Sequence, residues 1–124
     1  MNNFEIQPNA SRPAIRADWE AGIVSMRGDS YPENSFELFQ PLIEWVTQYL
    51  NTAGRPLHLE LELVYINTSS IRAMMDIFDL METAHQQGVQ TSVRWTYEAA
   101  NERVGELAGE FREDCTFPFE ITSK

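Results

Sequence analysis

Leu57-His58-Leu59-Glu60-Leu61-Glu62-Leu63-Val64-Tyr65-Ile66-Asn67-Thr68-Ser69-Ser70-Ile71-Arg72-Ala73-Met74 changes its hydrophobic period midway. Leucines at every second position, alternating with His58, Glu60 and Glu62, describe a strand from Leu57 to Tyr65 with one face buried and one wet. Val64 to Ile66 are apolar in succession, which predicts that this end runs deeper into a sheet. From Ile71 the spacing becomes three and four, through Met74, Met75, Phe78, Met81 and Ala84 or His85, the stripe of a helix that Gly88 ends. Between the two elements stand one amide and three hydroxyls, Asn67, Thr68, Ser69 and Ser70.

Similar patterns lie on both sides of this stretch. Phe4 to Gln7 has the character of a short strand and Pro8 to Pro13 that of a turn or loop. Ala14 to Trp19 and Gly22 to Arg27 form two strands around Glu20-Ala21-Gly22, a hairpin. Phe36, Phe39, Leu42, Ile43, Val46, Tyr49 and Leu50 mark a first helix. Pro41 falls inside it, and its missing N–H and bulky ring predict a kink or break near Gln40. Val89 to Tyr97 is a further strand, Val104, Leu107, Ala108, Phe111 and Cys115 are the stripe of a third helix, and Phe117 to Ile121 adds a last short strand. Strands followed by helix-strand-helix-strand-helix predict an α/β fold, a mixed sheet with helices packed against it and right-handed crossovers between parallel strands.

The chain has 124 residues, of which 9 are Lys or Arg and 19 Asp or Glu, for a net charge of -10. A chain of this size buries roughly two-thirds of its unfolded surface, enough for one core and hence a single domain over residues 1–124. The acidic balance offers no counterion release against nucleic acid and no attraction to an anionic membrane, so neither is an expected partner. Met1 to Glu5 lacks the basic and apolar regions of a signal peptide, and no apolar run approaches the ~18 residues of a spanning helix, which predicts a cytoplasmic protein. Cys115 is the single cysteine, which excludes an internal disulfide and a paired-cysteine zinc site, and its position at a helix end suits a half-buried small hydrophobe.

Catalytic candidates are few. His58 and His85 are the two histidines. Glu82 and His85 share the Glu-x-x-His spacing of di-iron bundles, yet such a site needs a second pair and two further Glu, so a solvated helix face shared with Asp76 and Asp79 is the simpler reading. Glu60 and Glu62 fall on one strand face, as a catalytic carboxylate pair could, but a wet sheet face explains them as well. No phosphate loop, nucleophile elbow or Cys/His arrangement is present. Glu102, Glu106, Glu110, Glu113 and Asp114 make the third helix acidic, either a solvated face or a docking face for a basic partner. Phe117 and Phe119 are expected in the core. No cofactor or metal is implied.

Asn67 to Ser70 hold more than a helix cap needs, since one such side chain suffices. None of the three hydroxyl residues has Glu or Gln three positions on, so no capping box explains the excess. A hydroxyl here also lies where free amides, the helix dipole and Arg72 would stabilise a phosphate. On these residues alone a plain cap and a phosphoacceptor both stand.

Asn67-Thr68-Ser69-Ser70-Ile71 resembles the phosphorylation loop of STAS-class anti-sigma-factor antagonists, whose pattern is Asp-Ser-Ser-Gly before a hydrophobic residue, with Asn in place of Asp and Ser70 in place of Gly. Nearly the whole chain is similar to the SiaC-type regulatory phosphoproteins of this STAS-like group. The resemblance rests on Gly28-Asp29-Ser30-Tyr31-Pro32-Glu33-Asn34-Ser35, on Asn67 through Ile71 continuing as Ala73-Met74-Met75-Asp76-Ile77-Phe78-Asp79-Leu80, on Asn101-Glu102-Arg103-Val104, and on Glu110-Phe111-Arg112-Glu113-Asp114-Cys115. It implies a STAS-like single domain without enzymatic activity, a monomer when free, that switches partners in control of biofilm and aggregation. A cognate kinase phosphorylates Thr68, a PP2C-type phosphatase reverses this, and the unphosphorylated form binds and activates a diguanylate cyclase. Asn67, Ser69, Ser70 and Arg72 then belong to the partner surface. A constitutive adaptor whose Thr68 is only a cap, and a small enzyme using His58, His85 and carboxylates, are the alternatives.

Overall fold

The structure, a computed structural model, describes residues 3–124. Its elements run β1 (Phe4–Ile6), β2 (Ala14–Asp18), β3 (Ile23–Ser30), α1 (Ser35–Thr52), β4 (Leu57–Ile66), α2 (Thr68–Gln86), β5 (Thr91–Tyr97), α3 (Glu102–Glu113) and β6 (Phe119–Ser123). The strands lie in sequence order in one mixed sheet. β1, β2 and β3 pair antiparallel, and β3 to β6 pair parallel, each parallel step crossing over through one helix. The predicted hairpin is β2–β3, closed at Gly22, whose N–H donates to the Asp18 carbonyl. Gly22 has φ +68°, and a Cβ there would collide with the Pro56 carbonyl and the Tyr49 hydroxyl, so the turn and the packing both require glycine.

The leucine alternation sets the layers. Leu57, Leu59, Leu61 and Leu63 are fully buried with Val24, Met26, Val93 and Trp95 from the neighbouring strands. They meet Phe39, Leu42 and Val46 of α1, Met74, Ile77 and Met81 of α2, and Val104, Ala108 and Phe111 of α3 in one core. Each fully buried side chain of this kind contributes roughly 1.5–3 kcal/mol, so this face holds the fold together. The other sheet face stays wet and carries charge pairs between strands: Arg27 with Glu62 at 3.4 Å, Arg94 with Glu60 at 3.6 Å and with Glu120 at 3.4 Å, and Lys124 with Glu62 at 2.9 Å. Glu60 and Glu62 therefore serve a solvated face. Phe117 is buried and Phe119 packs against the core, as expected.

Two expectations are corrected. Of the kink or break expected near Gln40, the break does not occur: α1 is continuous from Ser35 to Thr52 with Pro41 inside. Pro41 and Glu37, whose carbonyl loses its helical donor, both lie on the exposed face, where water replaces the bond. The end of β4 does not run deeper into the sheet. The β3–β4 register slips between Gly28 and Asp29, so Gly28 faces Leu63 while Asp29 faces Tyr65. The extra residue on β4 is Val64, and the bulge reverses the in-out phase beyond it. Val64 and Tyr65 are both about half exposed, and burial resumes at Ile66. The alternation that buries four leucines thus ends by turning two apolar side chains outward beside the strand-to-helix turn.

Candidate functional site

β4 leaves the sheet at Ile66, paired with Ser30, and the Asn67 N–H donates to the Ser30 carbonyl at 2.9 Å. Asn67 is extended, with φ -81° and ψ 171°, and caps α2: its Oδ1 accepts from the Ser70 N–H at 2.9 Å. The helix therefore begins at Thr68, three residues before the apolar stripe announces it. At its other end Gly88 takes φ +95°, and the Gly88 and Val89 amides donate to the His85 and Ala84 carbonyls, the closing pattern that glycine permits.

The excess of hydroxyls resolves into a chain that runs from the core to the surface. Ser30 Oγ donates to Ser70 Oγ at 2.8 Å, Ser70 Oγ lies 3.4 Å from Ser35 Oγ, Ser35 Oγ lies 2.6 Å from Ser69 Oγ, and Ser69 Oγ donates to Asn67 Oδ1 at 3.2 Å. One direction of donation, Ser30 to Ser70 to Ser35 to Ser69 to Asn67, uses each hydroxyl hydrogen once. Ser30, Ser35 and Ser70 are buried. The chain ties the end of β3, the first residue of α1 and the start of α2 to one another. Ser30 and Ser35 were missed as site residues by pattern reading, because a serine at a strand end and one at a helix start each look like ordinary punctuation.

Thr68 stands apart from this chain. It is exposed at the first helical position, and among the described residues its hydroxyl has no hydrogen-bond partner. Asn67, Ser69 and Ser70 surround it. Arg72, one turn further along α2, is exposed and pairs with Asp76 through Nε at 3.7 Å.

Exposed apolar side chains gather at this end of the molecule. Tyr31, just after β3, and Tyr65 meet edge to face with ring centroids 5.7 Å apart, next to Val64. Phe36, in the first turn of α1, is 75% exposed. It borders a groove of about 850 Å³ between α1 and α2 that also takes in Ser35, Ser69, Arg72 and Asp76. An apolar surface of this kind, beside a polar turn, is the usual mark of an interaction site.

The remaining candidates do not converge. His58 lies on the wet sheet face between Ser92 Oγ, 2.7 Å from Nδ1, and Glu60, 2.8 Å from Nε2, whereas His85 sits near the end of α2 with its ring 6.2 Å from that of Phe117. Among the described residues no three His, Cys, Asp or Glu side chains gather as a metal site would require. Glu82 is more than part of a solvated face. It accepts from the Thr116 hydroxyl, the Thr116 N–H and Gln86, and these bonds hold its carboxyl down at about 2. The clasp fastens the loop between α3 and β6 onto α2. Cys115 beside it is half-buried, and burial together with the charges of Glu82, Asp114 and Asp79 pushes its thiol up to about 11, so it is a packing residue and a poor nucleophile. The acidic residues of α3, Glu102, Glu106, Glu110 and Glu113, are all exposed.

A mixed six-stranded sheet with three crossover helices on one face defines a STAS-like α/β protein. The model of the SiaC family of regulatory phosphoproteins matches residues 6–124, and the chain belongs to that family. It is 60% identical over 121 residues, 98% of this chain and 96% of the other, to an uncharacterised protein of Pseudomonas aeruginosa strain UCBPP-PA14. Apo-SiaC of Pseudomonas aeruginosa has the same fold at a TM-score of 0.96 and 57% identity, covering 99% of this chain and all of that one. SiaC of the same organism in complex with the diguanylate cyclase SiaD, which it activates, aligns at a TM-score of 0.95 and 59% identity over 98% of this chain and 99% of that one. Among the described residues no helix is long and apolar enough to cross a membrane.

Proposed function

We propose that this chain is a non-enzymatic partner switch, acting as one regulatory unit, that binds and activates a diguanylate cyclase when unphosphorylated and releases it when Thr68 is phosphorylated. A cognate serine/threonine kinase adds the phosphate and a PP2C-type phosphatase removes it, so the balance of the two sets c-di-GMP output and with it biofilm formation and aggregation in the cytoplasm. The observation that carries the reading is the division of labour at the turn: Asn67, Ser69 and Ser70 are engaged in the cap and hydroxyl chain, and Thr68 alone offers an open hydroxyl to a kinase. Family membership and the cyclase complex of a 59% identical relative support it. Asn67, Ser69 and Arg72, with the apolar side chains around them, form the partner surface; Ser70, expected there from the sequence, is fully buried and serves it only by holding the turn.

A 100-fold change in partner affinity corresponds to ~2.7 kcal/mol. A phosphate of about -1.5 to -2 charge supplies that when a tight interface must desolvate it, whereas on an open surface screening over ~8 Å would leave too little. Thr68 accordingly lies inside the cyclase contact. The test is cyclase activation by purified Thr68→Ala and Thr68→Asp proteins alongside the parent chain. Thr68→Ala activates as the parent does and Thr68→Asp activates weakly. Equal activation by all three contradicts the switch and favours a constitutive adaptor.

A further inference from the structure

We infer that a phosphate on Thr68 acts through Arg72, which exchanges Asp76 for the phosphate and so alters the groove between α1 and α2; this rests on the switch proposed above. Arg72 lies four residues after Thr68 on α2, the spacing that brings two helical side chains onto one face with their Cβ atoms ~5–6 Å apart. Its present partner, Asp76, is four residues further on and is met through Nε at 3.7 Å, with the Arg72 side chain 78% exposed. A pair so long and so wet is weakly held. A phosphate offers three acceptor oxygens and about twice the charge of a carboxylate, and the forked guanidinium takes two of those oxygens at once. Arg72 therefore stands between two acceptors one turn away on either side, and phosphorylation decides which it takes.

The consequence falls on the groove. Among its lining residues Arg72 is the one cation, and Glu33, Asp76 and Asp79 are the acids. With Thr68 unmodified, Arg72 balances Asp76 in the groove wall. Once phosphorylated, Thr68 draws Arg72 to the groove head and leaves Asp76 without its counterion. Thr68 and Asp76 are eight residues apart, ~12 Å along the helix at 1.5 Å per residue, which exceeds the ~8 Å screening length. The exchange thus carries the signal farther along the partner surface than the phosphate's own field reaches. No helix needs to move, since Asn67 and the buried serines hold the turn.

The test uses the full chain with phosphothreonine installed at position 68 during synthesis, titrated by phosphorus NMR at low salt as such and carrying Arg72→Gln, Arg72→Lys or Asp76→Asn. Arg72→Gln is expected to raise the second phosphate pKa by about 0.3–0.7 units, the size of an exposed ion pair. Arg72→Lys falls between, Asp76→Asn lowers the pKa more with Arg72 present than on the Arg72→Gln background because the competitor for Arg72 is gone, and 1 M salt compresses all the differences. Identical titration of the parent and Arg72→Gln proteins overturns the inference. An Asp76→Asn shift of equal size with Arg72 present and on the Arg72→Gln background overturns the exchange. These readouts need neither kinase nor cyclase, so a phosphorylated protein that keeps full cyclase affinity would end the switch and leave the Arg72 pairing standing.

Discussion

Replacing Asn67 by alanine should cost stability, and replacing the neighbouring Thr68 should not. Asn67 Oδ1 accepts the Ser70 N–H at 2.9 Å, a half-buried amide with no intrahelical acceptor. Loss of an N-cap of this kind costs ~1 kcal/mol, toward the upper part of the 0.5–2 range where water reaches the freed amide poorly. The second bond to the same oxygen, from Ser69 Oγ at 3.2 Å, is exposed and water replaces it, adding little. Asn67→Ala is therefore expected to lose about 1–1.5 kcal/mol. Thr68 has no bond to lose, and alanine is the better helix former at an exposed position, so Thr68→Ala stays within about 0.5 kcal/mol of the parent in either direction. Urea unfolding followed through Trp19, Trp45 and Trp95 measures both. With an m-value of roughly 1.3 kcal/mol/M for a chain of this size, the Asn67→Ala midpoint falls by about 0.8–1.2 M and the Thr68→Ala midpoint moves by less than about 0.4 M. An equal fall in both variants would mean that the Thr68 hydroxyl is built into the turn, and the reasoning that leaves it free for modification would be refuted.

Ser70→Ala leaves the buried Ser30 hydroxyl without its acceptor, and a loss of about 1.5–3 kcal/mol is expected, seen as a melting temperature lowered by roughly 6–12 °C. Gly22→Ala forces a left-handed φ on alanine and drives a methyl group into Pro56 and Tyr49; it should cost about 2–4 kcal/mol by the same thermal assay, with no local defect at Thr68. Glu82 has its pKa held at about 2, below the ordinary carboxylate value, so its clasp stabilises the fold above pH ~4.3 and that contribution fades as pH falls toward 2. After solvent screening the difference is about 1 kcal/mol, and Glu82→Gln should flatten the acid limb of stability between pH 5 and pH 2 by that amount in urea titrations.

The layer order was readable because burial leaves a period in the sequence. Leu57 to Leu63 alternate since one face of β4 is core and the other is wet, and the three-and-four stripes of α1, α2 and α3 give the helices that cover the buried face. The bulge at Val64 was not readable, because it depends on how β4 registers with β3 and leaves no mark in β4 alone. The same blindness to partners explains Pro41: the pattern records a lost donor, and only the fold shows that Glu37 and Pro41 both lie on the exposed face of α1. At the turn, the surplus of polar residues after Ile66 was visible, but their division between cap, hydroxyl chain and open hydroxyl depends on Ser30 and Ser35, which lie more than thirty residues earlier in the chain. Glu82 belongs to the same group, since its bonds run to Thr116 at the far side of α3.

The most direct measurement of the switch is the affinity of the purified chain for the full-length diguanylate cyclase, by calorimetry or biosensor, with Thr68 unmodified and with Thr68 phosphorylated. A switch at Thr68 predicts tight binding by the unmodified form and an affinity lower by about 100-fold, ~2.7 kcal/mol, in the phosphorylated form. Affinities that agree within a few-fold would contradict it.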